Sequence, residues 1–135
     1  MVKLFFDGTD AILGRLGSTV CKELLKGKEV VIINSEKTII SGDKKQILGE
    51  ILWWKDLGGI GLKGPRVSKV PDRLLKRMLR GMLPWNKTRG REAYGRLRCY
   101  VGNGELTEAE LKLVKKIEVK KPIKFVYLGE ISKLI

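Results

Sequence analysis

Val30, Val31, Ile32 and Ile33 form an apolar run without polar alternation, the pattern of a strand covered on both faces and hence of a parallel strand. Residues 2–6 form a second short apolar run. Between the two, Leu13, Leu16, Val20 and Leu24 recur at helical spacing while Lys22 and Lys26 face away. Gly27 stands where a left-handed helix cap is favoured. Asp10, in the turn of residues 7–10, is the expected N-cap. Strand, helix and buried strand in so short a stretch make a βαβ unit with a right-handed crossover. The expected fold class is therefore α/β: a single three-layer α/β/α domain over residues 1–135, with a mainly parallel sheet and a basic helix and loop extension.

The remaining elements follow from the same reasoning. Residues 37–40 add a short extended piece, and Ile47, Leu48, Ile51, Leu52 and Trp54 mark a second amphipathic helix, followed by a loop over residues 58–65. Trp53 and Trp54 are adjacent and point about 100° apart on a helix, so at least one is expected in the core. A third helix fits residues 71–83, with Pro71 at its first position, Leu74, Leu75, Met78, Leu79 and Met82 as its core stripe, and Pro84 as its stop. Residues 90–97 suit a short helix leading into a strand at 98–101. Thr107 and Glu110 form a capping box, with Leu106 and Leu111 as its staple, for a helix reaching about residue 117. A last strand over residues 123–128 is expected at a sheet edge because Pro122 precedes it.

Charge separates one segment from the rest. The chain of 135 residues carries 28 lysines and arginines against 15 acids, a net +13. Residues 61–100 hold 12 of those bases, with only Asp72 and Glu92 opposing them, and eight of the nine arginines. An ordinary solvated face mixes signs, whereas this segment repels itself in the free chain. A polyanion partner is expected, and the arginine bias favours structured nucleic acid over a membrane surface, because the guanidinium fork binds phosphate at two points and stacks on bases. The absence of histidine removes histidine-based triads and imidazole metal ligands. Cys21 and Cys99 lack metal-site spacing and are expected to be buried, reduced thiols. No stretch approaches a membrane span. Asp7 follows the first apolar run too closely for a signal-peptide core, so a cytoplasmic protein is expected.

Several motifs have duller readings that prevail. Gly59-Ile60-Gly61-Leu62-Lys63-Gly64 matches the dinucleotide-binding expression G-x-G-x-x-G. It follows a Trp-rich helix instead of a strand and leads into no apolar-periodic helix, so a turn or a backbone that approaches RNA phosphates fits better. The embedded Gly61-Leu62-Lys63-Gly64 lacks the surroundings of a KH clamp. Asp7 and Asp10 resemble a carboxylate pair for Mg²⁺, but turn and cap roles account for both. Trp85, between Pro84 and the basic loop Asn86-Lys87-Thr88-Arg89, is placed to stack a base or sugar.

Arg80-Gly81-Met82-Leu83-Pro84, Arg89-Gly90-Arg91-Glu92-Ala93-Tyr94 and Arg96-Leu97-Arg98-Cys99-Tyr100-Val101-Gly102 closely resemble the large-subunit ribosomal protein family thirteen in its archaeal and eukaryotic form. So do Asp10-Ala11, Leu13-Gly14-Arg15-Leu16, Asn34, Ser41-Gly42, Gly64-Pro65 and the ending Leu128-Gly129-Glu130-Ile131-Ser132. Gly17 departs from the alanine usual in the family, and Asn103-Gly104 replaces an apolar residue and proline. The missing histidines agree with the non-bacterial form. The resemblance implies a small α/β domain, with a mainly parallel sheet between helices, lodged on large-subunit ribosomal RNA beside neighbouring ribosomal proteins, without a catalytic role. No cofactor, metal, membrane or small-molecule substrate is expected. The expected RNA-contact set is Lys63, Arg66, Lys69, Arg73, Lys76, Arg77, Arg80, Trp85, Lys87, Arg89, Arg91, Arg96 and Arg98, touching mostly backbone and 2′-hydroxyls, since A-form grooves hide base edges. Two rivals from other classes are a nucleotide-dependent α/β enzyme using the loop at residues 59–64 and a free-standing DNA-compacting protein.

Overall fold

The computed structural model describes residues 2–57, 61, 64, 67–117 and 120–135. Strand β1 (Lys3–Asp7), helix α1 (Leu13–Leu25) and strand β2 (Glu29–Ile33) form the expected βαβ unit, with β1 and β2 parallel from Lys3↔Glu29 to Asp7↔Ile33. Strand β4 (Leu97–Cys99) joins the other side of β2, and the two-residue β5 (Lys115–Lys116) joins the far side of β1, both parallel, giving the order β4-β2-β1-β5. The missing alternation in β2 has a direct cause. Val30 and Ile32 pack with Leu16, Val20, Leu24, Leu74, Leu75 and Leu79 on one face of the sheet. Val31 and Ile33 pack with Phe5, Tyr100, Leu106, Leu111 and Val114 on the other. Covering both faces gives the expected α/β layering.

A second, antiparallel pair joins β3 (Ile39–Ser41) to β6 (Phe125–Tyr127). Helix α2 (Lys44–Asp56) covers it through Ile47 and Ile51, which meet Val126 and Ile131. Trp53 is 68% exposed and Trp54 is only part-buried. Neither therefore enters the buried core, and Trp54 lies instead beneath the Arg77 guanidinium. The last expected strand shortens to β6 and lies outside the main sheet, with Ile123 fully exposed. It runs directly into a helix the sequence reading missed, α6 (Leu128–Leu134), whose Leu128 and Ile131 are completely buried.

Helix α3 (Pro71–Arg80) begins with Pro71, as expected, but stops at Gly81 instead of Pro84. Beyond it, Met82 N–H donates to the Leu79 carbonyl at 3.0 Å and Leu83 N–H to the Arg80 carbonyl at 3.2 Å, a tightening to three-residue spacing that ends α-helices. The tighter winding leaves Met82 41% exposed, outside the expected core stripe, with its thioether over Gly17 of α1, and plugs Leu83 into the core. Helix α4 (Thr88–Gly95) begins before its expected first residue, with the Lys87 carbonyl accepting from Gly90 and Arg91 N–H, and β4 begins one residue early because Leu97 is buried opposite Val30 in the sheet. Helix α5 (Glu108–Lys112) carries the full Thr107–Glu110 capping box, yet ends well before residue 117 because Lys115 and Lys116 pair with β1.

The start of α1 also differs from expectation. Its N-cap is Ile12, without a side-chain cap. Asp10 has φ +56°, outside the extended region that a capping residue needs. Its carboxylate accepts from the Tyr127 hydroxyl at 3.1 Å and pairs with Lys121 at 3.5 Å. Gly27, at φ +92°, supplies the left-handed turn as expected.

Candidate nucleic-acid interface

Helix α3 presents Leu74, Leu75 and Leu79 to the core, all fully buried, each contributing about 1.5–3 kcal/mol. That burial fixes the direction of the opposite side. There, three cations stand over aromatic rings: Lys76 Nζ 4.7 Å from the Tyr94 ring centre, the Arg77 guanidinium 5.3 Å from Trp54, and the Arg80 guanidinium 4.0 Å from Trp85. Trp85 and Tyr94 meet edge to face, with centroids 5.2 Å apart at 88°. A ring attracts a cation through its quadrupole and orients it without cancelling its charge, as a carboxylate would. Among the described residues the ion pairs join Glu23 to Lys26 and Lys28, and Asp10 to Lys121. No base of the 67–98 segment pairs with an acid among the described residues.

The loop carrying Trp85 is fixed from below. Trp85 N–H donates to the Leu83 carbonyl at 2.8 Å, and Lys87 N–H to that of Pro84 at 3.0 Å. Arg91 Nε donates to the Trp85 carbonyl at 3.0 Å. The buried Gly90 of α4 crosses directly against the Pro84 carbonyl, which leaves no space for a Cβ. Leu83 is the loop's anchor in the core.

The expected contact residues divide accordingly. Lys69, Arg73, Lys87, Arg89, Arg91 and Arg98 are exposed, while Arg77, Arg80 and Trp85 are part-buried through their stacks. Lys63 and Arg66, with most of the glycine-rich loop at residues 59–64, lie outside the described residues. Lys76 is turned inward toward Tyr94, and desolvation holds its ammonium pKa below the usual lysine value against the neighbouring Cys99, which raises it. Arg96 has a partner within the fold: its Nη2 donates to the Leu24 carbonyl, in the last turn of α1, at 2.7 Å. Arg98 extends from the opposite face of the sheet from Leu97 and lines a cavity with Lys3, Glu29 and Glu105.

Sequence reasoning missed Trp54 and Tyr94 as supports for Arg77 and Lys76, and Gly90 as a close crossing. Tyr94 lies nine positions beyond Trp85 across a turn, a separation with no periodic signature. The two carboxylates set aside above do serve the fold. Asp7 accepts from Thr9 N–H at 2.9 Å, Thr9 Oγ1 at 2.7 Å and Asn34 Nδ2 at 3.0 Å. Burial raises its pKa, but these hydrogen bonds and Lys116 outweigh that and leave it below the ordinary aspartate value. No cluster of three metal-binding side chains occurs among the described residues. Both cysteines are free, Cys21 buried and Cys99 part-buried.

The family model described as Ribosomal protein L13 matches residues 2–105. The Large ribosomal subunit protein uL13 of Archaeoglobus fulgidus is 41% identical over 135 residues, covering 96% of this chain and 85% of the relative. Its counterpart in Natronomonas pharaonis is 42% identical over 126 residues, covering 93% and 85%. That of Methanosarcina barkeri is 42% identical over 130 residues, covering 93% and 92%. With most of its length matched by the family model and by relatives at this identity, the chain belongs to the Ribosomal protein L13 family.

Proposed function

We propose that the chain is a structural, non-catalytic constituent of the large ribosomal subunit, acting over residues 1–135 as one unit that binds and packs large-subunit ribosomal RNA in the cytoplasm. The observation that carries this reading is the pair of α3 arginines, Arg77 and Arg80, held by rings with no acid paired to them among the described residues. Such a surface retains its full positive charge, and a polyanion relieves its self-repulsion. Arg73, Arg77 and Arg80, spaced four and three residues apart, address one backbone track. Lys69, Lys87, Arg89, Arg91 and Arg98 reach neighbouring phosphates. Lys63 and Arg66 belong to the same proposed set, while Lys76 and Arg96 contribute mainly by holding α3 and α1 in place. Joining several RNA segments to one rigid body neutralises the repulsion between strands that must pack closely. Neighbouring large-subunit proteins are the expected protein partners.

The test is co-sedimentation. The protein should travel with large subunits at moderate salt and leave them only at high salt. If 6 to 10 phosphates are neutralised, RNA affinity should fall by about 10³-fold or more between 50 and 200 mM salt. A flat salt dependence, or a protein that stays in the soluble fraction, would refute the reading.

A further inference from the structure

Between the end of α3 and the loop that follows lies a cleft of about 340 Å³, lined by Arg77, Arg80, Gly81, Leu83, Pro84, Trp85 and Asn86. We infer that this cleft takes one unpaired nucleotide of the bound RNA, its base stacked on the Arg80 guanidinium, which itself lies on Trp85. The inference rests on the RNA-binding reading above and narrows it to a particular element of the RNA.

Size, charge and shape lead to the same ligand. The volume falls at the lower end of ligand pockets, about 300–1,000 Å³, enough for a nucleotide but too small to admit a base-paired helix. Two arginines line it and no acid does. The cavity beside Arg98 includes Glu29 and Glu105, and the one near Gly42 includes Asp43, so of these three the α3 cleft is the one suited to an anionic ligand. Arg80 is planar, and Trp85 lies 4.0 Å from it on one side. The face turned away from the indole is the one available to a base. This differs from the sequence expectation that Trp85 itself stacks a base: the arginine occupies the ring and extends the stack outward. Asn86, exposed at the rim, offers an amide donor and acceptor to a base edge. Arg77 stands where a phosphate on either side of the extruded nucleotide would pass. The cleft is also formed in advance, because the buried Leu83, the Pro84–Gly90 crossing and the Arg91 bond to Trp85 fix its far wall, and a rigid site loses less on ordering.

Two RNA hairpins of equal length and charge test the idea, one fully paired and one carrying a single unpaired adenine, titrated with the full chain at fixed salt. The bulged hairpin should bind about tenfold more tightly, the range expected for one stacked base, and 2-aminopurine at the bulge should change its fluorescence on binding. Arg80→Lys keeps the charge but loses the plane. It should abolish the preference, so that the variant binds the bulged and the paired hairpin equally. Asn86→Ala, at an exposed position, should lower the preference without altering melting. Equal wild-type affinity for the two hairpins would overturn the cleft assignment while leaving the RNA-binding reading intact, and so would an equal loss on both in Arg80→Lys. Failure to bind either hairpin would overturn both.

Discussion

Replacing Gly90 with alanine tests whether the loop behind the α3 cations is held as tightly as its geometry implies. A Cβ at Gly90 would overlap the carbonyl carbon and oxygen of Pro84 and come within 3.1 Å of its Cα. All three are backbone atoms, so no rotamer change relieves the contact, and the chain carrying Trp85 must move. Overpacking of this kind costs about 1–3 kcal/mol, here at the upper end. Against it stands a gain of about 1 kcal/mol from removing a glycine within a helix. The net destabilisation is about 2 kcal/mol, which for a chain of this size lowers Tm by about 6–10 °C. Gly95→Ala is the matched control: it lies in the same helix and its Cβ would meet nothing within 4 Å, so it should melt at or slightly above wild type. Thermal unfolding followed by circular dichroism, with tryptophan fluorescence as a second probe, distinguishes the two. If Gly90→Ala melted as high as Gly95→Ala, the crossing would not be tight and the reasoning would fail.

Other outcomes separate the two sides of α3. Arg77→Ala with Arg80→Ala should leave stability within about 1–2 kcal/mol of wild type, since two part-exposed cation–ring contacts are lost, yet weaken RNA binding; normal binding by the folded double variant would contradict the interface. Leu79→Ala should cost about 2–5 kcal/mol, with its binding loss following the loss of folded protein in a melting experiment. Burial pushes the Cys21 thiol up to about 11 and, with a smaller opposing effect of Lys76, the Cys99 thiol up to about 12, from 9.0. At pH 8 both thiolate fractions should therefore lie well below those of the unfolded chain, on the order of 100-fold for Cys21, and alkylation followed by mass spectrometry should be slower in the folded protein than in the unfolded chain.

The parts of this molecule legible in the sequence are those whose signal is local or periodic. The βαβ unit, the Gly27 turn and the Thr107 capping box each occupy a few consecutive residues with a fixed chemistry. The features that escaped depend on distant partners. Asp10 fails as a cap because Tyr127 and Lys121 hold it from the far end of the sequence. The end of α5 is set by β1, which draws Lys115 and Lys116 into the sheet. Helix α6 is short and contains Gly129, so its apolar spacing of Leu128 and Ile131 was too brief to be distinguished from the strand before it. The basic segment was plain in composition, whereas the pairing of Arg77 with Trp54 joins separate helices and has no signature in a linear chain.

The order of the main sheet also bears on the protein before it meets any partner. Its two borders are β4, three residues long with Arg98 projecting from it, and β5, which consists of Lys115 and Lys116 alone. An open sheet border offers unpaired amide and carbonyl groups to any similar border that approaches. Here each border is brief, and two copies brought together would set lysine and arginine against lysine and arginine. The same excess of positive charge that waits for a polyanion therefore keeps newly made copies apart, so addition of a short polyanion at substoichiometric levels should be the condition under which this chain begins to self-associate.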